Sequence, residues 1–377
     1  MQISSHAIYP FRVPLRIRFS QANQSTQRSD SIILQLNSKD GKQGYGEACP
    51  RPYVTGEDFA SVVQDIKAVL PLLLRRTFRS FAEVQVFIFQ EASKLIRPAA
   101  LCLLEIAILD LWGKTQQQSL AHSLAITYSR QVHYSGIVPL DKPAKLSKIL
   151  PLLQAFAFRE LKLKLNHHLD DCLAMVNWVK EHWGESFPIR VDANTGWTYE
   201  QALKLIPALI EAGVKVIEQP LAISQDHKMI DLCRRFGGQV KLMADESLTT
   251  FSSGERLVEQ GCFNHYNLKI SKNGGILATI RLYRYLQANG FTAQLGAHFG
   301  ETSILTAAGL WVSAAAPELI AHEGGLGTWL LQRDLQEKSL RMNQEAKLSL
   351  AAVQGHGLGL SVRREALLHT ETKVDSR

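Results

Sequence analysis

Hydrophobic and polar positions change their period twice along the chain. Residues 1 to about 50 read as strands and turns: IYPFRVPLRIRF, a polar loop QANQSTQRSD, the strand SIILQLN, a turn SKDG, then YGEACP. This pattern predicts an antiparallel start. From about 57 to 125 the period becomes helical, most clearly in PAALCLLEIAILDLWGK, which opens with proline and is apolar almost all the way round, as a buried helix would be. After about residue 131 strand and helix patterns alternate. VHYSGIV, ELKLKL, PIRVDA, VKVIEQP, VKLMAD, HYNLKI, FTAQLG and ELIAHE are strand-like, with helical runs such as YEQALKLIPALIEAG and ILATIRLYRYLQANG between them. Such alternation implies right-handed parallel crossovers, and about eight strands fit a (β/α) barrel better than an open doubly wound sheet. No GxGxxG follows the first of them, which argues further against a dinucleotide fold. The segment from about 340 to 365 reads as irregular or strand structure returning to the N-terminal domain, and HTETKVDSR as a loose tail.

The alternation of Leu161, Lys162, Leu163, Lys164 and Leu165 raises the question of where the lysines point. In an antiparallel strand they would face water. In a closed parallel barrel the leucines face the surrounding helices, and Lys162 and Lys164 project inward near the end of the second strand. Two such ammonium groups are costly unless anions offset them. Carboxylates do recur at later strand ends: Asp192 in RVDAN, Glu218 in VIEQP and Asp245 in LMADES, followed by Lys269 in YNLKISKNGG. From Lys164 the steps are 28, 26, 27 and 24 residues, close to one βα unit each, so these groups converge on one rim of the barrel.

A single carboxylate at a strand end is more often a helix cap or a surface charge. Three in register supply hard oxygen ligands suited to Mg²⁺, and the absence of histidine among them argues against zinc. Lysines on the second and sixth strands would then flank the ion. A metal-bound substrate carboxylate has its α-proton acidified, which makes Lys164 and Lys269 base and acid. Free lysine, with a pKa of about 10.4, is a poor base at neutral pH, but a dication and a second ammonium both disfavour its charged form. Lys162 serves this purpose and is also placed to contact the substrate carboxylate.

Composition narrows the partners. The 377 residues are 46% hydrophobic and 20% charged, enough for one large domain and a smaller one. The net charge of +7 is spread along the chain without the runs and interleaved aromatics of a nucleic-acid groove, and would equally attract a small carboxylate. Five dispersed cysteines without a CxxC pair read as thiols in a reducing compartment. The N-terminus lacks the apolar core of a secretory signal, and no run approaches a membrane span. A cytoplasmic location without nucleic-acid or membrane partners is expected.

LKLKL, VDAN, IEQP, ADES and LKISKNGG, in that order and spacing and with the late GHGLGLSV, resemble the enolase superfamily. The resemblance is to its mandelate racemase and muconate lactonizing enzyme branch, specifically the muconate lactonizing enzyme subgroup, and covers nearly the whole chain. It implies an α/β fold: a (β/α)₇β barrel over 128–340, an N-terminal α+β capping domain over 1–127, and a C-terminal segment, 341–377, completing that capping domain. It further implies Mg²⁺, with Mn²⁺ as a substitute, held by Asp192, Glu218 and Asp245. Lys164 and Lys269 would be the acid/base pair with Lys162 beside them, and Asn194 and Glu246 would support the ligands. A homo-oligomer is expected. Two capping-domain loops, 16–28 and 50–57, would close over a small carboxylate substrate and bring Arg18 and Tyr53 to it.

His298 in LGAHFGETS lies near the position of a catalytic histidine in the mandelate racemase subgroup, but that dyad needs an aspartate where this chain has Lys269. A packing or substrate-contact role fits His298 better, and Glu301 is the candidate to hydrogen-bond a substrate carboxylate. AHEGGLGTWLL lacks the DxD with which dipeptide epimerases of the subgroup hold an amino group. The expected activity is an Mg²⁺-dependent isomerase that moves a proton α to a carboxylate through an enediolate, as a cycloisomerase or as a racemase or epimerase. The alternatives are a lyase of the o-succinylbenzoate synthase type, a Schiff-base aldolase, which leaves the three carboxylates without a purpose, and a non-catalytic barrel, against which the intact set argues.

Overall fold

The computed structural model describes residues 1–21, 24–126 and 130–368, with the side chains at 17–26 and 368 outside the description. The chain begins with an antiparallel meander of β1 (Ile3–Gln21), β2 (Gln24–Ser38) and β3 (Gln43–Ala48), in spatial order β1-β2-β3. Alternation buries Phe11 and Val13 completely. Pro10 and Pro14 lie in an edge strand, where a missing N–H is tolerated, and the register slips between Pro14 and Phe19. Of the polar stretch QANQSTQRSD, residues 24–30 belong to β2 and not to a loop as their polarity suggests. Thr26 pairs with Phe19 and Ser29 with Val13, so ladder bonding to an apolar neighbour overrides weak local propensity.

Gly44 and Gly46 let β3 lie directly on the helix Pro98–Thr115. A Cβ on Gly46 would fall 2.0 Å from the Leu103 carbonyl oxygen, and one on Gly44 2.5 Å from that of Ala107. The helix is buried from Ala99 to Gly113, as its all-round apolar pattern predicts. Its two buried acids are both bonded to distant backbone. Asp110 accepts from the N–H of Tyr45 at 2.9 Å and of Leu358 at 3.0 Å, and Glu105 accepts from Leu277 N at 2.8 Å. Gly357, in the late glycine-rich run, exchanges 2.9 Å bonds with Gln118 and Leu120.

Beyond β4 (Gln131–His133) lies a sheet of seven parallel strands: β5 (Gly136–Val138), β6 (Leu161–Lys164), β7 (Ile189–Asp192), β8 (Val216–Glu218), β9 (Lys241–Ala244), β10 (His265–Lys269) and β11 (Thr292–Gly296). They are ordered consecutively, and β4 pairs instead with β12 (Lys347–Ser349). VHYSGIV is therefore two strands serving two sheets. ELIAHE, read from sequence as an eighth strand, makes only an isolated bridge, between His322 and Leu295. Pro317 before it and the left-handed Gly324 and Gly325 after it leave little room for a ladder. Its backbone still bonds both sides of the sheet: Leu295 N donates to Ala321 O at 3.0 Å, Glu323 N to Leu295 O at 2.8 Å, and Ser135 N, next to β5, to His322 O at 2.8 Å.

Helices follow the strands, and capping boxes start two of them, Thr198 with Gln201 and Thr250 with Ser253. The parallel register aligns Lys164 with Asp192 and Asp192 with Glu218, so charged residues stand side by side at the strand ends. No helix among the described residues is long and apolar enough to cross a membrane.

Candidate active site

All four residues of β6 are buried, with the leucines and the lysines on opposite faces. Lys162, 2% exposed, donates to Glu218 Oε2 at 3.0 Å and contacts Glu323 Oε1 at 2.8 Å, with Asp192 Oδ2 at 3.4 Å. Lys164 donates to Asp192 Oδ2 at 2.6 Å and to Asn194 Oδ1 at 2.9 Å. Lys269, at the end of β10, donates to Asp245 Oδ2 at 2.6 Å. The period-two alternation thus delivers both β6 lysines to carboxylates at the ends of neighbouring strands.

Burial alone would lower the pKa of Lys162, but Glu218, Glu323 and Asp192 outweigh it and hold the group above the usual lysine range. Lys269 is likewise raised, chiefly by Asp245 against the effect of burial. Burial also opposes ionisation of Asp192 and Asp245, yet Lys164 and Lys162 keep the first low, and Lys269 and Lys272 keep the second well below the carboxylate range. Glu218 behaves oppositely: burial and the adjacent Asp192 push it up to about 8. Glu246 rises to about 7 through burial and the charge of Asp245.

These groups surround the floor of a cavity of about 650 Å³. Lys162, Lys164, Asn194, Asp245, Glu246 and Lys269 line it, while Asp192 and Glu218 are 1% and 0% exposed. The wall includes His298, Glu301 and Tyr53, as read from sequence, and Tyr53 is exposed. Arg18 lies outside the described side chains. Residues 50–54 and Arg28 border the same cavity.

Among the described residues no three acidic, histidine or cysteine groups converge as metal ligands, and ammonium groups contact Asp192 and Asp245. The donor set nevertheless fits a hard divalent cation. Burial, with acidic neighbours adding to it, raises the pKa of Glu218 to about 8 and of Glu246 to about 7, and Glu246 Oε2 is buried without a partner. An excess of carboxylate is what an added positive ion relieves.

Sequence reading missed several members. Glu323, in AHEGG, joins Lys162 to Arg190, whose Nη1 donates to Glu323 Oε1 at 3.2 Å. Arg190 also bonds Ser135 at 2.9 Å and Gln294, and it is two residues before Asp192 on the same face, a period-two signal available in RVD. Lys272 is fully buried and donates to Asp245 Oδ1 at 2.7 Å and to Asn267 O at 3.0 Å. Asn267 in turn donates to Glu218 Oε1 at 2.7 Å. Gln219 ties the ends of β8 and β9 together, accepting from Asp245 N at 2.9 Å and donating to Ser247 Oγ at 2.8 Å.

The parallel α/β sheet, with carboxylates and lysines interleaved at its strand ends beneath one cavity, defines an isomerase of the enolase superfamily. The chain belongs to the mandelate racemase and muconate lactonizing enzyme family. Residues 5–124 match the "Mandelate racemase / muconate lactonizing enzyme, N-terminal domain", and residues 149–366 match the "Enolase C-terminal domain-like" profile. It is 26% identical over 317 residues to the hydrophobic dipeptide epimerase of Enterococcus faecalis (strain ATCC 700802 / V583), covering 84% of this chain and 88% of that one. It is 25% identical over 366 residues to the chloromuconate cycloisomerase CbnB of Cupriavidus necator, covering 96% and 95%. The crystal structure of the dipeptide epimerase from Enterococcus faecalis V583, complexed with Mg and the dipeptide L-Leu-L-Tyr, superposes with a TM-score of 0.84 at 25% identity, covering 95% and 99%. That complex and the donor set here support Mg²⁺ as the cofactor.

Proposed function

We propose that the protein moves a proton at the carbon next to a substrate carboxylate, with Lys164 and Lys269 as the two proton carriers. One observation carries this reading: both ammonium groups line the same cavity, each on a carboxylate from a different strand. When bound, Mg²⁺ held by Asp192, Glu218 and Asp245 would take up their negative charge and stabilise the charge that develops on the substrate carboxylate. Lys162, held by Glu218 and Glu323, keeps a fixed positive charge behind Lys164. That charge favours an anionic substrate. Asn194, bonded to Lys164 and lying 3.4 Å from Glu246 Oε1, orients the ammonium. Lys272 and Gln219 hold Asp245 in place from behind.

Racemisation or epimerisation needs both lysines in turn, one removing the proton and the other returning it to the opposite face. Cycloisomerisation needs one. A Schiff-base aldolase would leave the carboxylates of Asp192, Glu218 and Asp245 without a purpose, which disfavours that reading. The same proposal treats the 321–323 backbone as the closing eighth strand of a (β/α)₇β barrel, capped by residues 1–127 with 341–377. It also includes Mn²⁺ as a substitute ion, a homo-oligomeric assembly and a reducing cytoplasm that keeps the five thiols free.

The test is exchange of the α-proton for deuterium in D₂O, over a panel of carboxylic acids with Mg²⁺ present. Exchange that stops on adding a chelator is expected. Absence of exchange with every acid, by an enzyme that still binds Mg²⁺, defeats the proposal. Product analysis separates isomerisation from loss of water.

A further inference from the structure

Lys269 ends β10 and leads into one helical turn, Ile270–Asn273, then Gly274 and Gly275, then the helix Ile276–Ala288. This stretch is gripped from outside the strand-and-helix repeat. Glu105, on the helix Pro98–Thr115, is fully buried and accepts from the first two N–H groups of the helix Ile276–Ala288, Oε2 from Ile276 N and Oε1 from Leu277 N at 2.8 Å. Helix starts leave such donors without partners, and one carboxylate here satisfies two of them. Gly275 makes room for it. A Cβ there would fall 2.1 Å from Glu105 Oε2, and its φ of 111° suits glycine. Close by, Cys49 N, just past β3, donates to the buried Ser271 Oγ at 2.9 Å, and a Cβ on Gly274 would lie 3.2 Å from Leu101 Cδ2.

Within the turn, Lys269 N donates to Asn273 Oδ1 at 2.8 Å and Gly275 N to Ile270 O at 3.0 Å, so residues 269–275 form one bonded unit. A displacement at Ile276 is therefore passed back to Lys269. Lys164 is held differently. Its partners Asp192 and Asn194 lie at and just past the end of the next strand, Leu165 N bonds Asp192 O at 3.0 Å, and Trp197 Nε1 bonds Asn166 O at 2.7 Å. These partners all come from the repeat itself, whereas Glu105 and Cys49 come from the N-terminal part of the chain.

We infer that Glu105 is a positioning residue for Lys269 and not for Lys164, so that the helix Pro98–Thr115 sets the reach of one proton carrier and the parallel sheet sets the other. The role of the two lysines rests on the proton-transfer reading above. The grip of Glu105 on the 269–275 turn stands on its own geometry. Loss of that grip shifts one lysine by a fraction of its reach, and reacting groups displaced by about 1 Å can lose about a hundredfold in rate.

The test uses the Mg²⁺-loaded full chain and two variants. Glu105→Gln keeps the volume but offers one acceptor oxygen to two N–H groups, and Ser271→Ala removes the acceptor of Cys49 N. Amide hydrogen exchange read by mass spectrometry should quicken at least about tenfold in residues 269–275 and stay within about twofold in 161–168. Deuterium wash-in is then followed separately for the L and D forms of the chiral acid that exchanges fastest in the panel above. Lys269→Ala identifies the form whose proton Lys269 removes. For that form kcat should fall about ten- to a hundredfold in Glu105→Gln and about threefold in Ser271→Ala, with the other form within about twofold in both. General destabilisation would slow both forms alike. Equal losses for the two forms, or unaltered 269–275 amides in a folded variant, overturn the inference and leave proton transfer standing. If Glu105→Gln does not fold, Ser271→Ala decides by the same readouts. If no acid exchanges in the wild type, the proton-transfer reading falls, and the 269–275 amides alone decide whether Glu105 grips the turn.

Discussion

Replacing Glu323 by glutamine isolates the least expected member of the site. Its carboxylate, 5% exposed, contacts Lys162 at 2.8 Å and Arg190 at 3.2 Å. Burial would raise its pKa, but Lys162 and Arg190 hold it down at about 2 against an ordinary 4.5. At about 1.4 kcal/mol per pH unit, this depression corresponds to about 3 kcal/mol of folding stability. Mutational experience with buried pairs gives the same scale, roughly 3–5 kcal/mol when one partner is removed and the other stays buried.

The pH dependence follows from the sign of the depression. Between pH 4.5 and about 2 the unfolded chain binds a proton at this residue that the folded chain does not. The contribution is therefore fully present above 4.5 and lost as pH falls through about 2. Urea unfolding followed by tryptophan fluorescence should show Glu323→Gln less stable by about 3 kcal/mol at pH 7. The gap should narrow once pH drops below 4.5. A variant within about 0.5 kcal/mol of wild type at pH 7 would mean that Lys162 and Arg190 are satisfied without Glu323, and the network described here would be wrong.

Lys164→Ala and Lys269→Ala should each lower α-proton exchange by roughly 10²–10⁴-fold with circular dichroism unchanged; wild-type rates in the double variant would remove both from the mechanism. Asp192→Asn should weaken Mg²⁺ binding at least about tenfold by calorimetry, since it removes one of the three carboxyl groups proposed to hold the ion. Unaltered affinity would place the ion elsewhere. Gly46→Ala should destabilise by about 1–3 kcal/mol, because its Cβ would fall 2.0 Å from the Leu103 carbonyl oxygen; an unchanged melting temperature would show that β3 and the helix Pro98–Thr115 separate freely.

That charged groups gather at the floor of one cavity was legible because the signals are local and periodic. LKLKL alternates with period two, and Asp192, Glu218, Asp245 and Lys269 recur once per βα unit; register sets Lys164, Asp192 and Glu218 side by side, while Asp245 follows β9 and meets Lys269 through its side chain. Polarity misled where pairing overrules it, as in QSTQRSD, residues 24–30, which pair with β1. At ELIAHE, confined between Pro317 and two left-handed glycines, the chain makes one parallel bridge to β11 instead of a full ladder.

By itself the sequence determined the alternation of elements, the face on which Lys162 and Lys164 lie, and the acids that would answer them. Tertiary structure alone decided which partner each charged group finds. Glu323 meets Lys162 across 161 residues and Arg51 meets Phe299 across 248, and nothing in either neighbourhood encodes the other. The physical reason is that helix and strand periods are set by contacts a few residues apart. A buried charge, in contrast, is stabilised by whatever partner the closed fold carries within about 3 Å of it, however distant along the chain.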